Sequence, residues 1–266
     1  CPSCERGSVR CVSVSAMWDG GDAYERYVGR WSRPVAVEFL RWLDVPPGRS
    51  WLDVGCGTGA LTETVLAHAG PSSVVGVDPS AAFLELARQR VSGATFEVGS
   101  AVDLGERQAD VVVSGLVLTF VPDVARAVAE FARVGSYVGS YLWDYTSGMQ
   151  MMRLFWDAAR DVDPAAAAQD EGPRFADVSD PEALHGFWAG AGLSDVAVTG
   201  IVVPTVFRDF ADFWEPFEGG IGPAPAYAAT LPVEQRDAIR DLLRSRLPAE
   251  GPISLTARAW AVRGSR

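Results

Sequence analysis

Apolar residues follow two rhythms along this chain, and the alternation between them predicts its fold class. Short apolar runs at Trp51–Val54, Val74–Val77, Ala94–Val98, Asp110–Leu118 and Tyr137–Trp143 read as strands. Between them apolar residues recur at helical spacing: Leu61, Val65 and Leu66; Phe83, Leu84, Ala87 and Val91; Val124, Ala127, Val128 and Phe131. Boundary residues support the division. Gly70-Pro71 closes the first helix, and Ser80 and Asp123 stand where N-caps accept backbone N–H groups. The stretch D-V-V-V-S-G-L-V-L lacks polar alternation, which indicates a strand covered on both faces, as in a parallel sheet. The repeated strand–helix order gives an α/β fold: a doubly wound, mostly parallel sheet with helices on both faces.

The flanks depart from this order. Asp22 to Phe39 predicts a helix around Tyr24, Tyr27 and Val28, then a second starting at Pro34 with Ser32 or Arg33 as lead-in. Helical patterns return at Met149–Ala159 and at Pro181–Ala191, the latter with Asp180 as cap and Gly192 as stop. Val196–Phe207 and Ile253–Val262 are long β-rich runs. Between these runs, residues 208–248 are rich in aromatics and glycine and end in a helix carrying Ile239, Leu242, Leu243 and Leu247. Such an insertion predicts a lid over a substrate, or alternatively a partner or dimer surface. The expected organisation is one domain over residues 17–266, with helices at 17–48, a ligand-binding core at 49–147 and the insertion at 208–248. Residues 1–16 precede Met17 and are expected to be a disordered extension.

Composition narrows the function. With 48% hydrophobic residues in 266, the chain has enough apolar material for one large domain. Acids outnumber bases 34 to 23, for a net charge of −11, so a nucleic-acid partner is not expected. No apolar run reaches membrane-spanning length; a soluble, cytoplasmic protein without a membrane partner is expected, as monomer or homodimer. Cys1-x-x-Cys4 has zinc-like spacing, but with Cys11 it offers three sulfurs and no histidine, so no metal is expected there.

The chemistry concentrates in R-S-W-L-D-V-G-C-G-T-G-A-L, followed by V-V-G-V-D-P-S. Asp53 sits near the end of the first strand, an odd place for a charge unless something binds it. Gly55, Gly57 and Gly59 alternate with Cys56 and Thr58, and glycines there let backbone approach a ligand. A strand, a glycine turn and a helix N-terminus present N–H groups to an electron-rich ligand. Asp78 ends the second strand, where a carboxylate can accept both hydroxyls of a ribose. Gly55-x-Gly57-x-x-Ala60 with Asp78 also satisfies the loose dinucleotide fingerprint, so a nicotinamide or flavin enzyme is an alternative. An acid two residues before the first glycine, and the G-x-G-x-G alternation, lie outside that fingerprint.

The run L-D-V-G-C-G-T-G resembles motif I of the class I S-adenosylmethionine-dependent methyltransferases, and G-V-D-P-S resembles the acidic end of their second strand. The resemblance implies a Rossmann-like seven-stranded sheet whose last two strands are an antiparallel pair, with the final strand inserted beside the fifth. It implies S-adenosylmethionine as cofactor, a small-molecule methyl acceptor as partner, and a binding set of Asp53, Gly55, Cys56, Gly57, Gly59, Asp78 and Pro79. After the third strand the family often has Asp-Ala; here the pair is Ser100-Ala101, a departure that leaves the adenine contact to Ser100 or to Asp103. Ser114 and Leu116 fall where the family borders the methyl donor. Tyr27 is a candidate face for the sulfonium, unless Tyr24, Tyr27 and Trp31 only pack a helix. Asp144 and His185 are the candidate general bases, with Tyr145, Glu215 and Glu218 behind them; a structural role for His185 is the plainer alternative. A protein that binds the cofactor without turnover is the remaining alternative.

Overall fold

The computed structural model describes residues 29–220 and 222–266. The expected extension and the helix predicted around Tyr24 and Tyr27 lie outside the described residues. The described chain begins with α1 (Arg30–Leu43), β1 (Ser50–Val54), α2 (Ala60–His68), β2 (Ser73–Asp78), α3 (Ala81–Arg90) and β3 (Thr95–Val98). It continues with β4 (Ala109–Gly115), α4 (Val124–Val134), β5 (Gly135–Trp143), α5 (Gln150–Val162), α6 (Glu171–Ser179) and α7 (Pro181–Gly190). β6 (Ser194–Phe207), α8 (Phe210–Glu218), α9 (Pro223–Thr230), α10 (Val233–Arg246) and β7 (Ile253–Ser265) complete it.

The seven strands form one sheet in the order β3-β2-β1-β4-β5-β7-β6. β1 to β5 are parallel, and β7 runs antiparallel between β5 and β6. The continuous apolar runs follow from this layering. Trp51, Val111 and Val113 face one layer, with Phe39, Val65 and Phe155. Leu52, Val54 and Val112 face the other, with Val128, Phe131 and Trp188. A strand covered on both sides needs apolar residues at every position. From β1 the chain winds outward to β2 and β3, then returns to the other side of β1 as β4 and β5. That reversal opens a crevice at the carboxyl ends of β1 and β4, where ligands of open α/β sheets bind.

Four expectations need correction or addition. α1 does not start at Pro34, which lies inside it, and Ser32 is buried in the helix with its Oγ donating to Gly29 O at 2.6 Å. Proline there forfeits the N–H that would reach Arg30 O, a bond in the opening turns of the described helix. β4 stops at Gly115 rather than Leu118: Leu116 takes φ 63°, and Leu118–Phe120 form a 3-10 turn. The apolar run continues past the strand because Leu118 is itself fully buried. β7 extends beyond Val262 to Ser265. α6, α8 and α9 were not marked by a clear period, and α8 turns its aromatics into the core: Phe213 and Phe217 are buried, with Phe217 stacked on Phe155 at 4.5 Å.

Candidate active site

The crook after β1 is held by backbone bonds to β2. Gly55 N and Cys56 N both donate to Val77 O, at 2.7 and 3.0 Å. Gly55 has φ +76°, and a Cβ there would lie 2.5 Å from Val117, so no other residue fits. Gly57, at φ +53°, is open: a Cβ would meet nothing within 4 Å, and the residue borders a cavity. Gly57 N donates to Asp78 Oδ2 at 3.0 Å, and Ser80 N donates to Asp78 Oδ1 at 2.8 Å. Burial raises the Asp78 pKa, and those two N–H bonds oppose the rise.

Asp53 is 1% exposed. Its Oδ2 accepts from Thr62 Oγ1 at 2.6 Å, and its Oδ1 has no protein partner. Burial pushes its pKa up to about 7; the Thr62 bond lowers it and the Asp78 charge raises it further. A buried carboxylate oxygen left unpaired is costly, and a donor or cation at this place would relieve it.

These groups border a cavity of about 800 Å³ spread over the carboxyl ends of the first five strands. Asp53, Gly55, Cys56 and Gly57 come from the β1 crook, Asp78 and Pro79 from the end of β2. Ser100 and Ala101 line it after β3, and Leu116 after β4. Cys56 also packs with Leu84, Ala87, Val91 and Phe96, and burial pushes its thiol pKa up, so it is no thiolate. Ser100 Oγ accepts from Val102 N at 3.4 Å. Asp103 is exposed and accepts from Gly105 N at 3.1 Å, in its own turn.

Other candidates stand elsewhere. Gly59 caps α2 and packs beside Val91 rather than bordering the cavity. Ser114 is fully buried, its Oγ donating to Val54 O at 2.8 Å across the sheet. Asp144 is closed off by Arg258, whose Nε donates to Oδ2 at 2.8 Å, and by Thr146 N and Ser147 N at 3.1 Å. His185 is exposed on α7, Tyr145 is buried against Phe175, and Glu215 and Glu218 are exposed on α8. Asp144 and His185 therefore do not meet at the cavity, and neither does the 208–248 insertion expected as its lid. Tyr27 lies outside the described residues.

Residues 52–142 match the family described as a methyltransferase domain. With the sheet order and the carboxylate-flanked crook above, this decides the class. Residues 52–142 form a class I S-adenosylmethionine-dependent methyltransferase domain. The chain is 35% identical over 114 residues to a demethylmenaquinone methyltransferase of Symbiobacterium thermophilum, covering 40% of this chain and 44% of that protein. It is 31% identical over 119 residues to a trans-aconitate 2-methyltransferase of Methylobacterium nodulans, covering 44% and 45% respectively. The chain thus spans less than half the length of these curated relatives. Among solved structures, the YcgJ protein of Bacillus subtilis has the same fold at 16% identity, with a TM-score of 0.52 over 88% of this chain and 98% of that one. So has phosphoethanolamine N-methyltransferase 2 of Haemonchus contortus, solved with S-adenosyl-L-methionine, at 16% identity and a TM-score of 0.55 over 95% and 57%.

Several residues that border the methyltransferase cavity escape sequence reading: Ser32, Phe83, Val117, Phe120 and Tyr141. Tyr141 reaches the cavity because β5 pairs with β4 in a register that sets Tyr141 beside Gly115, where a Cβ would lie 2.6 Å from its hydroxyl oxygen. A glycine opposite a tyrosine is a signal only once the register is known. Glu171 was also missed. It is fully buried on α6, accepts from Trp156 Nε1, and burial pushes its pKa up to about 7.

Proposed function

We propose that this protein transfers a methyl group from S-adenosylmethionine to a small-molecule acceptor. The observation that carries the reading is the pairing of Asp53 and Asp78 around the Gly55–Gly57 crook, with a buried oxygen of Asp53 unpartnered at the cavity. S-adenosylmethionine supplies an already activated methyl group on a sulfonium. Asp78 suits the ribose hydroxyls, and the open Cα of Gly57 lets the rest of the cofactor approach the backbone of the crook. The unpaired Asp53 oxygen suits a cation, and binding one would hold Asp53 ionised. Phe83, Pro79 and Ser100 border the part of the cavity nearest β3, which suits a flat base, with Ser100 in place of the family's acid.

Catalysis then rests on orientation. Holding donor and acceptor in line supplies about 7–11 kcal/mol of barrier lowering, and a cavity walled largely by apolar groups keeps water out. Among the described residues no histidine borders the cavity, which supports transfer without a dedicated imidazole base. The protein works as monomer or homodimer in the cytoplasm, without nucleic-acid or membrane partners; its net charge of −11 supports the first exclusion.

A cofactor-binding protein without turnover is the second reading, favoured by Ser100 where the family often has an acid. Calorimetric titration with S-adenosylmethionine, S-adenosylhomocysteine and NADH tests the cofactor, and transfer of a labelled methyl to phenols, amines and acids tests turnover. Binding of NADH alone would overturn the proposal; binding without transfer would favour the second reading.

A further inference from the structure

Two threonines on α2 use their hydroxyls differently. Thr64 Oγ1 donates to Ala60 O at 2.8 Å, the back-bond to the carbonyl four residues earlier that helical threonines can make. Thr62 does not turn back along its helix. Its Oγ1 donates to Asp53 Oδ2 on β1 at 2.6 Å, within the range for a hydroxyl on an ionised carboxylate. Thr62 is fully buried and Asp53 nearly so, which shields the bond from bulk water. Thr62 is also the third residue of α2, in the first turn, where backbone N–H groups have no partner within the helix.

The surroundings make Asp53 depend on this one residue. Burial is the largest influence on its ionisation and opposes the charged form. The charge of Asp78, at the end of β2, opposes it too. Only Thr62 acts the other way, first through its hydroxyl and then through its backbone N–H. The cations on the adjoining helices are engaged elsewhere: Arg88 of α3 donates to Phe96 O at 2.7 Å, and Arg33 of α1 to Glu63 of α2 at 3.5 Å. β4 sets the uncharged Val113 beside Asp53, the crook brings the Cys56 thiol, held neutral by burial, and β5 brings the phenol of Tyr141 to the same cavity.

We propose that Thr62 is a positioning residue for the cation of the cofactor: its hydroxyl holds Oδ2 of an ionised Asp53 and leaves Oδ1 as the oxygen that meets the positive charge. The identity of that cation rests on the methyltransferase reading; the coupling of Thr62 to Asp53 does not. Without the hydroxyl, Asp53 keeps its proton to higher pH and offers a cation a neutral carboxyl.

Thr62→Val removes the donor at nearly constant volume, and Thr62→Ser keeps it. S-adenosylmethionine is titrated calorimetrically into the full chain from pH 6 to 9; the ligand's own titration is common to all variants and cancels in the ratio to the parent. Thr62→Val is expected to bind about tenfold more weakly at pH 7 and within about twofold of the parent at pH 9, where Asp53 is ionised in both proteins. Thr62→Ser is expected to stay within about twofold throughout, and in an Asp53→Asn background Thr62→Val is expected to add less than about twofold. A ligand-free readout runs beside these. The Asp53 carboxyl, followed by carbon-13 NMR and assigned with Asp53→Asn, is expected to titrate at about 7 in the parent and about one pH unit higher in Thr62→Val. Thermal unfolding checks that Thr62→Val folds, and Thr62→Ala takes its place if it does not. No loss at pH 7, a loss equal at every pH, an equal loss in Thr62→Ser, or an Asp53 midpoint unmoved by removing the hydroxyl overturns the proposal. If S-adenosylmethionine fails to bind even the parent, the cofactor reading falls, and the NMR titration still decides the coupling.

Discussion

Asp53 and Asp144 occupy matching places: each is buried at the carboxyl end of a parallel strand, 1% and 2% exposed. Their surroundings differ. Asp144 accepts from Thr146 N, Ser147 N, Ser147 Oγ and the guanidinium of Arg258, which itself lies over Trp260. Every lobe of that carboxylate has work inside the protein. Asp53 has Thr62 and one oxygen without a protein partner, beside a cavity. A buried acid whose partners are complete ties β5 to β7; one whose partners are incomplete faces something the chain does not contain.

The largest test of this contrast removes Asp144. Asp144→Ala leaves Arg258 without its anion and is expected to cost about 3 kcal/mol of stability in urea unfolding. Its affinity for S-adenosylmethionine is expected to stay within about twofold, since the loss is one of folding and not of a binding contact. A loss of affinity with unchanged stability would reverse the assignment.

Asp78→Ala sharpens the other side. Removing an acceptor of charge-assisted bonds from a binding site costs about 1.5–3 kcal/mol, so affinity for S-adenosylhomocysteine should fall about 10- to 100-fold. Gly57 N and Ser80 N also lose their partner, so Asp78→Asn, which keeps one acceptor oxygen, should lose less.

The pH dependence comes next. Asp53 and Glu171 both have folded-state pKa values raised to about 7 by burial. The folded state therefore holds more protons than the unfolded one between about pH 4 and 7, and stability falls as pH rises through that window. Asp53→Asn and Glu171→Gln remove this slope one group at a time, and each should be more stable than the parent at pH 8 by on the order of 1–3 kcal/mol. Saturating S-adenosylmethionine should flatten the Asp53 share alone, because Glu171 does not border the cavity. His185→Ala, on an exposed helix face, should change neither stability by more than about 0.5 kcal/mol nor turnover.

The parallel core was legible because its signals are local. Runs such as Val111–Val113 must be apolar throughout, and Ser80 and Asp123 cap the helices as their residue types require. The glycine crook and Asp78 were legible for the same reason: their geometry is set by neighbours in sequence. Tyr141, Phe120 and the fate of Asp144 depend on register and on Arg258, which lies beyond the next seven helices and strands. The packing of the insertion was not legible because aromatic richness does not say which way a helix turns its rings; Phe213 and Phe217 turn inward.

One feature of the sheet bears on how the protein is made. Among the described residues β6 pairs with no strand except β7, and residues 208–252 separate the two in sequence. At about 5–20 residues per second, a ribosome needs roughly 2–9 s to deliver β7 after β6 has emerged. During that interval Ile201, Val203 and Phe207, all buried in the finished fold, wait without the strand that will align them.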